Sequence, residues 1–490
     1  MLAVRAAETQ NGERGYERTL FRRIRKSLES TQYNGELADM KIDRIHLKAP
    51  GCWINDPNGF IYYKGLYHLF YQCFPYAAKW GTMHWGHAVS RDLVSWEHCG
   101  IALFPSRYED QNGCFSGSAV EYEGKLYLYY TGVHYDVVNP QNIHKNPNDR
   151  YESSQLMISS EDGFTFDNFK GKRVIIPPFA DREPADRTHT RDPKVWRGKD
   201  AWYMVLGSRT NDDRGQLLFY RSMDLFEWKP VNRVTKESTL GWMWECPDLF
   251  RTEGGDVLMM SPMGILQDGK REANHAVCLP VEFEEHTCTL EFPDGFQFVD
   301  CGLDLYAPQT ATDENGRRIM VGWMRMPEAV DGKWNGMFCI PRVVERKGGH
   351  IYFRVHPDVD RIFSRRISSA EEAGGACYKL SLDLAEGESV NIGGYRISRK
   401  EDRICTDRTE VFTGHDEWRM KTETPVIREG DHLDIYVDQN LVEIYVNNGE
   451  YVLSSVVYDL STEIQSEAAG ELLMYAAEEP VENVKVCESM

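Results

Sequence analysis

The sequence predicts an all-β protein: a five-bladed β-propeller followed by a C-terminal β-sandwich, with a short N-terminal helical segment. Three observations support this. From about residue 40 to about residue 345, short aromatic and β-branched runs alternate with turn residues, and no long helical period intervenes. Inside that region a unit repeats at intervals of about 55 to 75 residues, which suits propeller blades with their loops. Beyond about residue 360 the pattern becomes period-two alternation, as in His432-Leu-Asp-Ile-Tyr-Val437 and Leu441-Val-Glu-Ile-Tyr-Val446, the mark of sheets buried on one face.

Taken in order, residues 1–39 read as a helical extension. Leu20, Phe21, Ile24 and Leu28 share one helical face, and Glu8, Glu13, Glu17 and Glu29 argue for packing on the main domain rather than on a membrane. The propeller is assigned to 40–350. Its repeating units are 65–72 leading to 90–96, 124–131 leading to 160–166, and 200–207 leading to 222–228, with weaker echoes at 255–261 and 318–324. A charged stretch, Glu345-Arg-Lys-Gly-Gly349, and a helix-like run over 355–368 predict a linker helix within 351–370. The sandwich occupies 371–490, with Asp438-Gln439-Asn440 and Asn447-Asn448-Gly449 as hairpin turns.

Composition narrows the function. The chain has 490 residues, a formal net charge of −20 and a pI near 5.2, which opposes binding to nucleic acid or anionic membrane. No apolar run approaches the roughly 20 residues of a membrane span, and the start lacks a secretory apolar core of about 7 to 15 residues. A cytoplasmic protein is expected. The 12 cysteines form no CxxC pair and read as reduced thiols. His84 and His87 lack the companions of a metal site, there is no phosphate loop, and no Gly-x-Ser-x-Gly elbow is present. Neither metal nor cofactor is called for.

The chemistry centres on Trp53-Ile54-Asn55-Asp56-Pro57-Asn58-Gly59, where Pro57 holds Asp56 extended and Asn58-Gly59 suits a turn. Two more acids sit in marked motifs: Asp192 in Arg191-Asp-Pro-Lys-Val-Trp196, and Glu245 in Trp242-Met-Trp-Glu-Cys-Pro-Asp-Leu-Phe250. Each adjoins a proline or lies one residue from it. Their spacing puts them on different blades, and a propeller gathers such residues around one axis.

These motifs, with Tyr71-Gln72, Phe115-Ser-Gly-Ser118 and the late Val442-Glu-Ile-Tyr-Val-Asn-Asn-Gly449, resemble glycoside hydrolase family 32, the β-fructofuranosidases, over about residues 45 to 480. Within it, the runs 83–96 and 113–118 look most like intracellular bacterial sucrose-6-phosphate hydrolases. The resemblance implies retention by two carboxyl groups about 5 to 5.5 Å apart. Asp56 is then the nucleophile, Glu245 the acid and later the base, and Asp192 the partner of the fructose hydroxyls, kept ionised by Arg191. Trp242 and Trp244 would favour a protonated Glu245. Trp53, Asn55, Gln72, Trp80, Phe115, Ser116 and Arg191 are the expected substrate contacts, and Trp323 belongs either to the pocket or to the core.

The expected partner is a small sugar: sucrose 6-phosphate, sucrose or a short fructan. Self-association into a homo-oligomer is compatible with the chain. Two other functions compete. An inverting glycosidase of arabinans or xylans conflicts with the Asn-Asp-Pro-Asn-Gly motif and the appended sandwich, and a non-catalytic sugar-binding propeller conflicts with the presence of all three acids. A phosphate on the sugar would need basic residues at the rim. Lys79, Arg182, Arg187, Arg209, Arg214, Arg325, Lys333 and Arg342 are the candidates.

Overall fold

A computed structural model of the protein describes residues 42–478, apart from 148–149, 181–183, 237–239, 268–269 and 272–273. The helical segment expected over 1–39 lies outside the described residues. Five antiparallel sheets follow one another along the chain. Their first strands are Trp53–Tyr63, Gly113–Tyr122, Arg191–Arg197, Met243–Thr252 and Leu305–Thr312, and these five contact one another in a closed ring around an axis. This is the five-bladed propeller.

The second strands, Leu66–Phe74, Lys125–Tyr135, Trp202–Arg209, Gly255–Met263 and Arg318–Met324, contain the repeating runs of the sequence. They are buried almost throughout, because neighbouring blades cover both faces of each sheet. The Ser-x-Asp segments that follow are the turns between third and fourth strands. In each, one aspartate oxygen accepts two backbone N–H groups at 2.7–2.9 Å: Asp92 from Val94 and Ser95, Asp162 from Phe164 and Thr165, Asp224 from Phe226 and Glu227. Such self-capped turns keep the connections between the third and fourth strands short at one end of the propeller. The other end carries the longer connections, including 75–83, 136–150 and 325–336.

Two local expectations change. Asn58-Gly59 is not a hairpin turn but a bulge within the strand Trp53–Tyr63, and the hairpin turns instead at Lys64-Gly65, both at positive φ. The linker helix expected within 351–370 is a single turn, Pro357–Asp360. Residues up to Val355 are claimed by blade five, where His350–Val355 pairs with Arg342–Lys347, and Arg365–Arg366 already pairs with the sandwich. Backbone pairing on both sides leaves no room for a longer helix.

The sandwich packs a six-stranded sheet on a five-stranded one around Leu380, Val390, Ile397, Ile435, Ile444 and Leu453. Asn447 and Asn448 adopt positive φ at the predicted turn. A buried ionic network joins the domains. His46 lies 2.9 Å from both Asp438 and Glu443, Lys48 is 2.9 Å from Asp438, and Arg342 is 2.8 Å from both Asp300 and Glu443. Among the described residues, ten cysteines are free thiols. Among the described residues no helix is long and apolar enough to cross a membrane.

Candidate active site

All five first strands carry a bulge at the same level. The register slips between Ile54 and Pro57, Cys114 and Gly117, Arg191 and Lys194, Glu245 and Asp248, and Tyr306 and Gln309. A bulge turns backbone and side chains out of the ladder and re-aims them. Here it directs Asp56, Ser116, Asp192, Cys246 and Ala307 at the axis. Asp192, Cys246 and Ala307 take positive φ (65°, 49° and 48°) immediately before a proline, a strained conformation held by the surrounding sheet. Gly117 is required for packing: a Cβ there would lie 1.9 Å from the Tyr129 carbonyl oxygen.

A hydrogen-bonded loop fixes Asp56. Trp53 Nε1 donates to Asn55 Oδ1 at 2.8 Å, and Asn55 Nδ2 donates to Asp56 Oδ1 and to Gln72 Oε1, each at 3.2 Å. Gln72 Nε2 donates to Ser116 Oγ, which donates to Asp56 Oδ2 at 2.5 Å. Burial raises Asp56 above the usual carboxylate range; Ser116 and Asn55 oppose the rise, and the Glu245 charge adds to it.

Asp192 is held by its neighbours on two blades. Its N–H donates to Thr131 Oγ1 at 3.0 Å, and its Oδ2 accepts the Cys246 N–H at 2.9 Å. The Cys246 sulfur lies 3.6 Å from that oxygen and 3.5 Å from Asp56 Oδ2, so one atom touches both carboxylates. Burial pushes Asp192 up to about 7 against the pull of Arg191, with the Glu245 and Asp56 charges adding to the rise.

Glu245 corrects two expectations. Arg191 engages Glu245 more closely than Asp192: its Nη2 and Nε lie 2.7 and 3.2 Å from Glu245 Oε1, while Nε is 4.0 Å from Asp192 and pulls it towards the ionised form without offsetting its burial. Tyr306 OH donates to the other oxygen of Glu245 at 2.5 Å. Trp244 does not face Glu245, since alternate strand residues point to opposite sides. It is fully buried between blades three and four and donates to the Leu240 carbonyl.

The structure therefore brings together Trp53, Asn55, Asp56, Gln72, Ser116, Arg191, Asp192 and Glu245. Phe115 adjoins them, its half-buried ring edge-on to Tyr151 at 6.3 Å, and Tyr151 OH in turn meets Arg191 at 3.4 Å. Trp80 stands apart, exposed on the loop 75–83. Trp323 packs edge-on to Trp53 at 5.8 Å. Sequence reasoning missed Tyr306, Cys246 and Thr131. A signal for the first two was present, since Cys246-Pro247 and Ala307-Pro308 repeat the residue-proline pattern of Asp56-Pro57 and Asp192-Pro193.

Comparison with known proteins agrees in both halves of the molecule. Residues 46–357 match the glycosyl hydrolases family 32 N-terminal domain and residues 360–488 the family 32 C terminal. The chain is 31% identical to a sucrose-6-phosphate hydrolase of Bacillus subtilis over 91% of its own length and 96% of the relative's. It is 34% identical to a raffinose invertase of Escherichia coli, covering 84% and 89%. A Bombyx mori GH32 beta-fructofuranosidase superposes with a TM-score of 0.79 at 26% identity, covering 92% of this chain and 98% of that one; a mutant of it is solved in complex with sucrose at a TM-score of 0.78. Two adjoining matches that take in propeller and sandwich, over relatives aligned nearly end to end, place the chain in glycoside hydrolase family 32.

Proposed function

We propose that this protein is a retaining glycosidase that hydrolyses the β-fructofuranosyl bond of sucrose 6-phosphate or sucrose and releases fructose. The observation that carries the reading is the convergence of Asp56, Asp192 and Glu245 on one axis from the bulges of blades one, three and four. Asp56 attacks the anomeric carbon as Glu245 protonates the departing oxygen; Glu245 then deprotonates the water that releases fructose. Ser116 and Asn55 keep Asp56 anionic and oriented. Arg191 and Tyr306 fix the Glu245 carboxyl for both half-reactions. Asp192 accepts hydrogen bonds from ring hydroxyls as positive charge develops on the sugar.

The relatives' names support both sucrose and its 6-phosphate, and the basic residues narrow the phosphate's place. Arg342 is fully buried between the domains and Arg325 is spent on the carbonyls of Asn274, Leu303 and Asp304. Arg187, Arg209 and Arg214 are paired with carboxylates, and Arg182 lies outside the described residues. Lys79 and Lys333 are exposed, on loops at the carboxylate end. They are the proposed phosphate contacts. A dianionic substrate goes with a cytoplasmic enzyme, because a sugar phosphate does not cross a bilayer unaided.

The test is kcat/KM for sucrose 6-phosphate, sucrose and kestose, read as fructose release. A strong preference for the phosphorylated sugar that Lys79→Ala or Lys333→Ala abolishes supports the phosphate reading. Equal or better rates on sucrose and kestose make it a general β-fructosidase, and no fructose from any of them sinks the proposal.

A further inference from the structure

At the end of the propeller axis away from the carboxylates lies a cavity of about 610 Å³, within the roughly 300 to 1,000 Å³ of small-molecule sites. Its wall comes from the same first strands, about five residues beyond the bulges, or roughly 16 Å further along the axis at the rise of an extended chain. Between the two ends the axis is closed by a buried brace. Lys194 Nζ donates to Asp248 Oδ2 and to the Thr310 carbonyl, both at 2.8 Å, and the Thr310 N–H donates to Asp248 Oδ2 at 2.7 Å. The cavity is therefore separate from the site described above.

Its charge runs against that of the molecule. In a chain of net charge −20, the wall holds Lys194, Arg197, Lys199, Arg251 and Arg318 against three carboxylates. Lys194 is neutralised by Asp248 and Arg251 by Asp256. Among the described residues, Arg197, Lys199 and Arg318 have no ion pair. Arg197 lies over Trp202 at 5.2 Å and Arg318 over Phe250 at 5.1 Å, so each guanidinium is oriented by an aromatic face; the carboxylate acting on Arg318 is Asp248, which is already bonded to Lys194. Arg318 Nε is buried with no acceptor at all, while its Nη1 reaches Thr310 Oγ1 only at 3.4 Å. An unmet charged donor in a cavity wall calls for an acceptor that the chain itself does not supply.

We propose that this cavity binds the phosphate group of a small phosphorylated metabolite, with Arg318 in the wall and Arg197 and Lys199 at the mouth. A planar guanidinium matches two phosphate oxygens at once and Lys199 supplies a mobile third donor. The half-buried rings of Trp196 and Phe283 line the space for the organic part. The proposal does not depend on the reaction at the other end.

The test is calorimetric titration of the full chain with glucose 6-phosphate, inorganic phosphate and glucose. The phosphate probes bind and glucose does not; tighter binding of the ester than of inorganic phosphate adds that the organic part is read too. Arg197→Ala/Lys199→Ala weakens binding at least tenfold, and so does Arg318→Gln, while kcat/KM on sucrose is unchanged in the double variant. Hydrogen exchange slows at residues 195–202 and 249–256. Absence of binding, glucose binding equal to its phosphate, equal affinity in wild type and double variant, or protection confined to residues 53–59 and 113–118 would each overturn the assignment.

Discussion

The carboxylate end of the propeller and the seam between propeller and sandwich bury the same kinds of side chain and treat them in opposite ways. At the seam, burial alone would raise Asp438 and Glu443, but Lys48 and His46 outweigh it at Asp438, and Arg342 and His46 bring Glu443 down to about 2. His46, which burial would lower, is raised by the same two acids. At the carboxylate end, burial wins: Asp56 is raised and Asp192 reaches about 7, because among the described residues Arg191 is the one cation placed among three acids. Burial is common to both regions; the count of opposing charges decides the sign. Asp300 marks the limit of the rule, raised by burial despite Arg342. Compensated charge locks two domains together, whereas uncompensated charge is held under strain where chemistry needs it.

That contrast is breakable. Asp56→Asn is expected to lower kcat by at least about 10⁴-fold, and Glu245→Ala by on the order of 10² to 10⁴. Asp56→Asn should not lower Tm, since it removes a charge that burial disfavours; a large Tm loss there would show that this acid also holds the fold, whereas Glu245→Ala leaves the buried Arg191 and the Tyr306 hydroxyl without their carboxylate and should lower Tm. Glu443→Ala reverses the outcome. It leaves His46 and Arg342 short of a partner, so urea denaturation should show a loss of about 3 to 5 kcal/mol, with kcat/KM unchanged in the folded enzyme.

The pH dependence of stability separates the regions further. Glu443 has its pKa lowered from 4.5 to about 2, so its contribution, about 3 kcal/mol, is full above pH 4.5 and disappears as pH falls towards 2. His46, raised above 6.5, contributes below that pH and loses its share as pH rises through its folded value. Asp192 has the opposite sign for an acid: raised from 3.8 to about 7, it costs stability as pH climbs through that interval. Asp192→Asn should therefore raise Tm at pH 8 and leave it unchanged at pH 3; equal Tm at pH 8 would deny the strain. The smallest effect expected is in Ser116→Ala, where losing one donor to Asp56 moves the acid limb of kcat/KM up by roughly one pH unit. An unmoved limb would show that Asp56 is not the group titrating there.

The two regions also differed in how far they were legible beforehand. The site was readable because its acids sit in short local motifs with proline, and because the strand repeat implied an axis to gather them. The seam was not: His46, Lys48, Arg342, Asp438 and Glu443 are ordinary charged residues in sequence, and Arg342 stood among the candidate rim cations although it is wholly buried. The linker helix was over-read for a related reason, since local helical periodicity says nothing of a strand partner waiting at each end.

By itself the sequence determined the all-β class, the repeat and the change to a sandwich, since these rest on side-chain periodicity and turn chemistry within a few residues, and it marked three acids in proline-bearing motifs that the fold brings together. Tertiary structure alone decided that Arg191 serves Glu245, that Cys246 bridges Asp56 and Asp192, that Trp244 turns away from the site, and which buried acids are neutralised. Those outcomes depend on distances between blades and on how many opposite charges share a buried volume, quantities that no local pattern in the chain encodes.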